Sequence, residues 1–236
     1  MPRLARTIEG GQIYHVLNRS NNKIRIFDTE GDYSAFERTL FEAKEKNPMN
    51  ILAYCLMPNH WHFVMYPERD NDLARFMHWL TTTHTQRWLI YRDMIGYGHL
   101  YQSRYKSFPI QNDEHFLQVC RYVERNALRA KLVEKAEDWR WGSTWARGYG
   151  SLEHKRLLSD WPVPMPDGYQ KLLNTNLLHD DDQLTNLRLS VNRGRPFGDL
   201  NWIETISAKL NLTSTLKSRG RPKKGTGPKK GTVPFL

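Results

Sequence analysis

Apolar and polar residues take turns along Gln12-Ile13-Tyr14-His15-Val16-Leu17-Asn18-Arg19, an alternation that predicts a first strand. Over 31–46 the spacing lengthens: Tyr33, Phe36, Leu40, Phe41 and Ala43 recur near a helical period, and Pro48 stops that helix. Two strand-like runs follow, residues 50–56 and 63–66, with the turn chemistry of Pro58-Asn59 between them. Residues 71–92 predict a second long helix, with Leu73, Phe76, Met77 and Leu80 on one face and His84 and Trp88 continuing the stripe. Leu100 to Ile110 reads as extended, with Arg104-Tyr105-Lys106-Ser107-Phe108 alternating. Asn112-Asp113-Glu114 then offers a cap and an acidic first turn for a third helix over 113–133. The order β-α-β-β-α-β-α predicts an α+β fold: a ferredoxin-like or RRM-like split βαβ antiparallel sheet with an added helix.

The character changes after residue 138. Trp139-Arg140-Trp141-Gly142 and Asp160-Trp161-Pro162-Val163-Pro164-Met165-Pro166 predict an irregular, extended segment over 139–198, packed on the first unit or linked to it. One short helix, Asn201 to Leu210, is expected within 199–216. The last segment, 217–236, is rich in Gly, Pro and Lys, repeats Lys-Lys-Gly-Thr, and reads as a basic disordered tail.

Composition narrows the classes. Aromatic residues make up 12% of the 236, too many for a wholly disordered chain. No run approaches the ~20 apolar residues that span a bilayer, and the first residues lack the apolar core of a secretory signal. Cys55 and Cys120, both in apolar-patterned segments, suggest buried thiols in a reducing cytoplasm. The net charge of +10 invites an anionic partner. Most of the excess lies in the tail, however, so the folded part is only mildly basic.

Candidate chemistry begins at Met57-Pro58-Asn59-His60-Trp61-His62. If His60 opens a strand, the period of two puts His60 and His62 on one face and Trp61 on the other, facing the core. Two imidazoles side by side can grip a metal, although such a pair is more often a set of packed, hydrogen-bonded histidines. The third helix adds Tyr122 and Asn126, four residues apart and so on one face. A phenol and a carboxamide there can both reach a metal held on a neighbouring strand. His15, His78, His84 and His115 lack a spaced partner and read as structural.

The histidine element, together with Arg121-Tyr122-Val123-Glu124-Arg125-Asn126-Ala127-Leu128-Arg129-Ala130, resembles the HUH single-strand transposases with one catalytic tyrosine. Within them it is most similar to the REP-associated tyrosine transposases. Tyr14 to Arg19, Arg104 to Pro109, Asp160 to Pro164 and Arg193 to Gly198 share that resemblance, so it runs in order from about residue 14 to 198. One departure is Ala127, where the family usually carries proline; alanine is expected to continue the helix without a bend.

The resemblance implies that 1–138 is an HUH catalytic domain in which His60, His62 and Asn126 hold Mg²⁺ or Mn²⁺. Tyr122 would attack a phosphodiester, leaving a 5′-phosphotyrosine and a free 3′-hydroxyl on single-stranded DNA at REP-like palindromic hairpins. Such a protein would work in the cytoplasm, at the nucleoid, as a monomer or homodimer. Arg104 and Lys106 are expected to bind phosphate or simply to be solvated. Two Arg-Gly-Arg-Pro units, with Arg193, Arg195, Arg219 and Arg221, resemble the core of an AT-hook that enters a narrow minor groove. The rival readings are a catalytically silent hairpin-binding protein of the same fold and an RNA-binding module. The second is disfavoured because no Lys-Gly-Phe-Gly-Phe-type block is present.

Overall fold

The computed structural model describes residues 7–96, 98–175 and 181–217. Strands β1 (Ile13–Arg19), β2 (Asn50–Met57), β3 (His60–Tyr66) and β4 (Lys106–Ile110) form an antiparallel sheet in the order β2-β3-β1-β4. Side chains leave a strand on alternate faces, and both faces of this sheet are covered. On one, Tyr14, Val16, Trp61 and Phe63 pack against helices α1 (Glu30–Lys46) and α2 (Asp72–Tyr91). On the other, Ile13, Cys55, Val64 and Phe108 pack against α3 (Glu114–Glu124). Burial on both sides explains why β2 reads as a nearly continuous apolar run. The expected α+β architecture is therefore the one observed.

Local chemistry sets the helix ends. Thr29 opens α1 with a capping box, its hydroxyl accepting from the Asp32 amide while the Asp32 carboxylate accepts from the Thr29 amide. The stripe read on α2 is buried in full, from Leu73 to Trp88. Trp61 is fully buried on the α1/α2 side, and its indole donates to the Tyr101 hydroxyl at 3.0 Å. That hydroxyl lies 2.7 Å from Nδ1 of His84, which fixes His84 as a core residue.

Three expectations change. Only Lys106 to Ile110 joins the ladder, because residues 101–102 run off the end of β1, where Tyr101 bridges Ser20 and the Gln102 amide donates to the Arg19 carbonyl. Arg104 therefore lies outside the strand. The third helix does not run to 133, and Ala127 does not keep it straight. It breaks at Arg125, and a short helix α4 (Asn126–Arg129) follows. The Arg125 amide is shared between the Arg121 and Val123 carbonyls, and its guanidinium is drawn to the carbonyls of Leu173 and Thr175. Lys131, in the left-handed region at φ 58°, then ends the turn as the Leu132 amide returns to the Ala127 carbonyl.

The third change concerns residues 139–198. Beside their extended Trp/Pro stretches they carry helices α5 (Ser143–Gly148), α6 (Leu152–Leu157), α7 (Tyr169–Asn174) and α8 (Asp181–Arg193). Much of this segment is tied to α3 through the buried Glu124, whose carboxylate accepts from Ser143 Oγ, Arg147 Nη1 and the Tyr169 hydroxyl at 2.5, 2.5 and 2.8 Å. The first Arg-Gly-Arg-Pro unit is the turn after α8, with Gly194 at φ 73°. It leads to Phe197, whose amide donates to Pro109 beside β4. Helices α9 (Leu200–Lys209) and α10 (Thr213–Leu216) follow, the first close to the expected span. Arg219, Arg221 and the rest of the tail beyond 217 lie outside the described residues.

Candidate active site

Strand pairing puts Arg19 opposite His60, Leu17 opposite His62 and His15 opposite Val64. His60 and His62 consequently share the α3 side of the sheet, away from Trp61. Above them, Tyr122 meets His62 edge-on, with ring centroids 5.9 Å apart and planes at 83°. Asn126 comes one turn later, just past the break at Arg125. The sequence-predicted His60, His62, Tyr122 and Asn126 thus line one cavity of about 400 Å³. Lys106 lines it from the end of β4, and Val191 and Asn192 of α8 close one side.

Each imidazole has one nitrogen engaged. His60 Nδ1 lies 2.6 Å from Asn59 Oδ1, an oxygen that only accepts, so the proton sits on Nδ1 and Nε2 keeps its lone pair. His62 Nδ1 lies 2.9 Å from His15 Nε2. Burial, reinforced by Arg19 and Arg129, pushes the pKa of His60 down to about 4. Burial, with the neighbouring His15, His60 and arginines, also holds His62 well below the ordinary histidine range. Both rings are therefore neutral near pH 7, the form that can donate a lone pair.

Asn126 is buried, and its Oδ1 accepts from Arg129 Nη2 at 2.6 Å. Its Nδ2 finds no hydrogen-bond partner among the described residues. The Arg129 guanidinium also lies 4.2 Å over the Tyr122 ring, a cation–π contact that pins the phenol. Burial lowers the pKa of Arg129. A phenol, two neutral imidazoles and an amide oxygen thus converge on one half-enclosed space.

The remaining expected DNA contacts do not converge there. Arg104 is exposed and outside the cavity lining. Arg193 donates to the Lys217 carbonyl at 3.3 Å, and Arg195 sits in the turn before Phe197, both away from the lining. Residues not singled out from sequence are closer. His15, read as structural, is fully buried and joined to His62. Its position, two residues before Leu17 in the same alternation, was visible, but its neighbour across the sheet was not. Arg129 stands three residues after Asn126 and seven after Tyr122, a helical spacing that would have flagged it.

Residues 10–126 match the family model described as "Transposase IS200 like". A REP-associated tyrosine transposase of Escherichia coli (strain K12) is 22% identical over 137 residues, covering 56% of this chain and 75% of that protein. A solved structure of a REP-associated tyrosine transposase bound to a REP hairpin aligns with a TM-score of 0.51 at 18% identity, covering 75% of this chain and 96% of that one. That likeness shows a shared fold. With the family match spanning the sheet, the histidine pair and the tyrosine helix, the chain belongs to the IS200-like transposase family, with the REP-associated tyrosine transposases among its relatives.

Proposed function

We propose that this chain is a metal-dependent single-strand DNA endonuclease and strand transferase that acts at REP-type palindromic hairpins through a 5′-phosphotyrosine. The observation that carries the reading is the approach of Tyr122 to His62, 5.9 Å between rings, with His60 and Asn126 in the same cavity. The hairpin as partner is supported by the relative whose structure holds one. Among the described residues no helix is long and apolar enough to cross a membrane.

The residues fit Mg²⁺ or Mn²⁺. Among the described residues no three His, Cys, Asp or Glu side chains cluster as a metal group. The residues that would hold the ion are His60 and His62, through Nε2, and Asn126, through Oδ1, all lining the one cavity. Two imidazoles without a carboxylate favour Mn²⁺ over Mg²⁺. When bound, such an ion supplies Lewis-acid polarisation of the scissile phosphate. In the reaction itself Tyr122 loses its proton and its oxygen forms a bond to phosphorus while the bond from phosphorus to the 3′ oxygen breaks. The 3′ oxygen leaves and ends as a free hydroxyl, and the 5′ phosphate stays on the tyrosine. Arg129, over the ring, holds the phenol in place by a cation–π contact. The diester is conserved, so reversal rejoins a strand without ATP. Lys106, exposed at the cavity mouth, binds backbone phosphate, and the basic tail adds salt-sensitive, non-specific affinity.

One observation favours a second reading, a hairpin-binding protein without catalysis: Asn126 Oδ1 is already engaged by Arg129. A labelled hairpin oligonucleotide with a single-stranded flank, incubated with protein and Mn²⁺, separates the two. The proposed enzyme gives a denaturant-resistant protein–DNA adduct that disappears with a chelator and in Tyr122→Phe. Binding without adduct in either metal supports the silent protein, and an adduct from Tyr122→Phe at the wild-type rate removes Tyr122 from its role.

A further inference from the structure

His15 is a fully buried group beside the cavity whose chemistry the proposed reaction leaves unused. It lies on β1, diagonal to His62 across the β1–β3 pairing, and its ring is tilted only 14° from that of His62. The ring centroids are 5.0 Å apart while Nε2 of His15 and Nδ1 of His62 are 2.9 Å apart. The two nitrogens therefore sit between the centroids, so the rings meet edge to edge and nearly coplanar. A lone pair on an imidazole nitrogen lies in the ring plane, which makes this the geometry of a good imidazole–imidazole hydrogen bond.

One proton lies in that bond, and it can belong to either ring. If His15 Nε2 donates, His62 accepts at Nδ1, carries its proton on Nε2, and offers the cavity no lone pair. If His62 Nδ1 donates, His62 Nε2 is a bare donor atom facing the cavity, and the proton of His15 sits on Nδ1. His15 Nδ1 is buried and has no hydrogen-bond partner among the described residues. It is therefore unmet in both arrangements, as an acceptor in one and a donor in the other, so the protein itself leaves the choice of tautomer open. His60 differs, because Asn59 Oδ1 can only accept and fixes its tautomer outright.

We propose that His15 is a positioning residue for the metal site: its Nε2 accepts from His62 Nδ1 when the cavity is loaded with a divalent cation, turning His62 Nε2 toward the ion. This inference rests on the metal reading above. A ligating histidine almost always gives its second nitrogen to such an acceptor, and losing the acceptor weakens metal affinity by about 10- to 100-fold. Here the acceptor is a second histidine, so loading fixes the tautomers of both rings together. Phe108, 4.9 Å from the His15 ring centre, and Tyr122, edge-on at 6.2 Å, fix the His15 ring and keep water from replacing it.

Two measurements test it. In wild-type protein, two-bond ¹H–¹⁵N correlations of the histidine rings read the tautomers without any substitution. Adding Mg²⁺ should leave both His15 and His62 protonated on Nδ1; a loaded protein with His62 protonated on Nε2 overturns the inference. Mn²⁺ uptake, read from the loss of the free-ion electron paramagnetic resonance signal, supplies the second. His15→Phe should bind about 10- to 100-fold more weakly. His15→Gln, which keeps an acceptor, should recover part of the loss, with thermal unfolding followed for both variants. If wild-type protein takes up Mn²⁺ and a folded His15→Phe takes it up as tightly, the inference falls and the metal site stands. If wild-type protein takes up none, the metal site falls and this inference with it.

Discussion

Arg129 donates from Nη2 to Oδ1 of Asn126 at 2.6 Å, the one oxygen in the cavity that the proposed metal would need from that residue. The same guanidinium covers the ring of Tyr122 at 4.2 Å. A fixed positive charge thus stands beside the phenol, the amide and both imidazoles, where the ion's charge would otherwise lie. The carbonyl oxygen has two lone pairs and can serve both partners, but two cations so close repel.

Arg129→Gln removes that charge and keeps a donor for Asn126. Mn²⁺ should then bind more tightly, by about fivefold for ~1 kcal/mol of relieved repulsion. Adduct formation should slow by about tenfold as the phenol loses the cation–π contact that holds its ring. Titration of the free-ion resonance signal and a single-turnover adduct assay read the two effects separately. Weaker Mn²⁺ binding in this variant would show that Arg129 supports the site by holding Asn126 and does not compete with the ion.

The buried Glu124 links α3 to α5 and α7 through Ser143, Arg147 and Tyr169. Glu124→Ala would take the carboxylate from the largely buried Arg147 guanidinium and the acceptor from the Tyr169 hydroxyl, while Ser143 keeps the Tyr54 carbonyl. A cost of about 3–5 kcal/mol follows from breaking a buried ion pair by removing one partner. Urea unfolding gives the number, and a loss below about 1 kcal/mol would mean that water or a shifted Arg147 replaces the carboxylate.

Buried histidines make stability fall in acid. Burial lowers the folded-state pKa of His15 and His84 to about 3 and of His60 to about 4, against 6.5 when unfolded. As the pH drops from 6.5 toward 4, the unfolded chain binds protons that the folded chain refuses. Stability therefore declines through that window, by about 1.4 kcal/mol per pH unit for each such histidine. His84→Gln, far from the cavity, should reduce the slope of unfolding free energy against pH by about one proton. An unchanged slope would show that His84 is protonated in the folded state.

Phosphate binding should follow position more than charge count. Lys106 lines the cavity and Arg104 does not. Lys106→Ala is expected to lower the salt slope of hairpin binding by about 1 and to weaken binding several-fold at low salt. Arg104→Ala should do less. Equal effects, read by fluorescence anisotropy across a salt series, would place the DNA path along the segment before β4 as well.

Much of the architecture was legible because each signal was local. The helical spacing of α1, the buried stripe on α2 and the turn at Pro58-Asn59 depend on neighbours a few residues away, and they formed where the pattern put them. The same alternation that turns Trp61 into the core turns His60 and His62 to the other face. The break at Arg125 was not legible. Its guanidinium answers carbonyls at Leu173 and Thr175, about fifty residues on, and no local propensity reports such a partner. The same holds for α8, whose Val191 and Asn192 reach the cavity.

The sequence by itself determined which side chains lie on which face, because the periods of strand and helix are properties of the backbone. It thereby put His60 with His62, and set Tyr122 and Asn126 four residues apart, although the helix that would have joined them breaks between the two. Only the tertiary structure decided what each of them touches: His15 at the back of His62, Arg129 on Asn126 and Tyr122, and Asn59 on His60. Those contacts depend on strand register and on the bend after α3. They settle which nitrogen of His60 is bare, and they leave the tautomer of His62 to its pairing with His15.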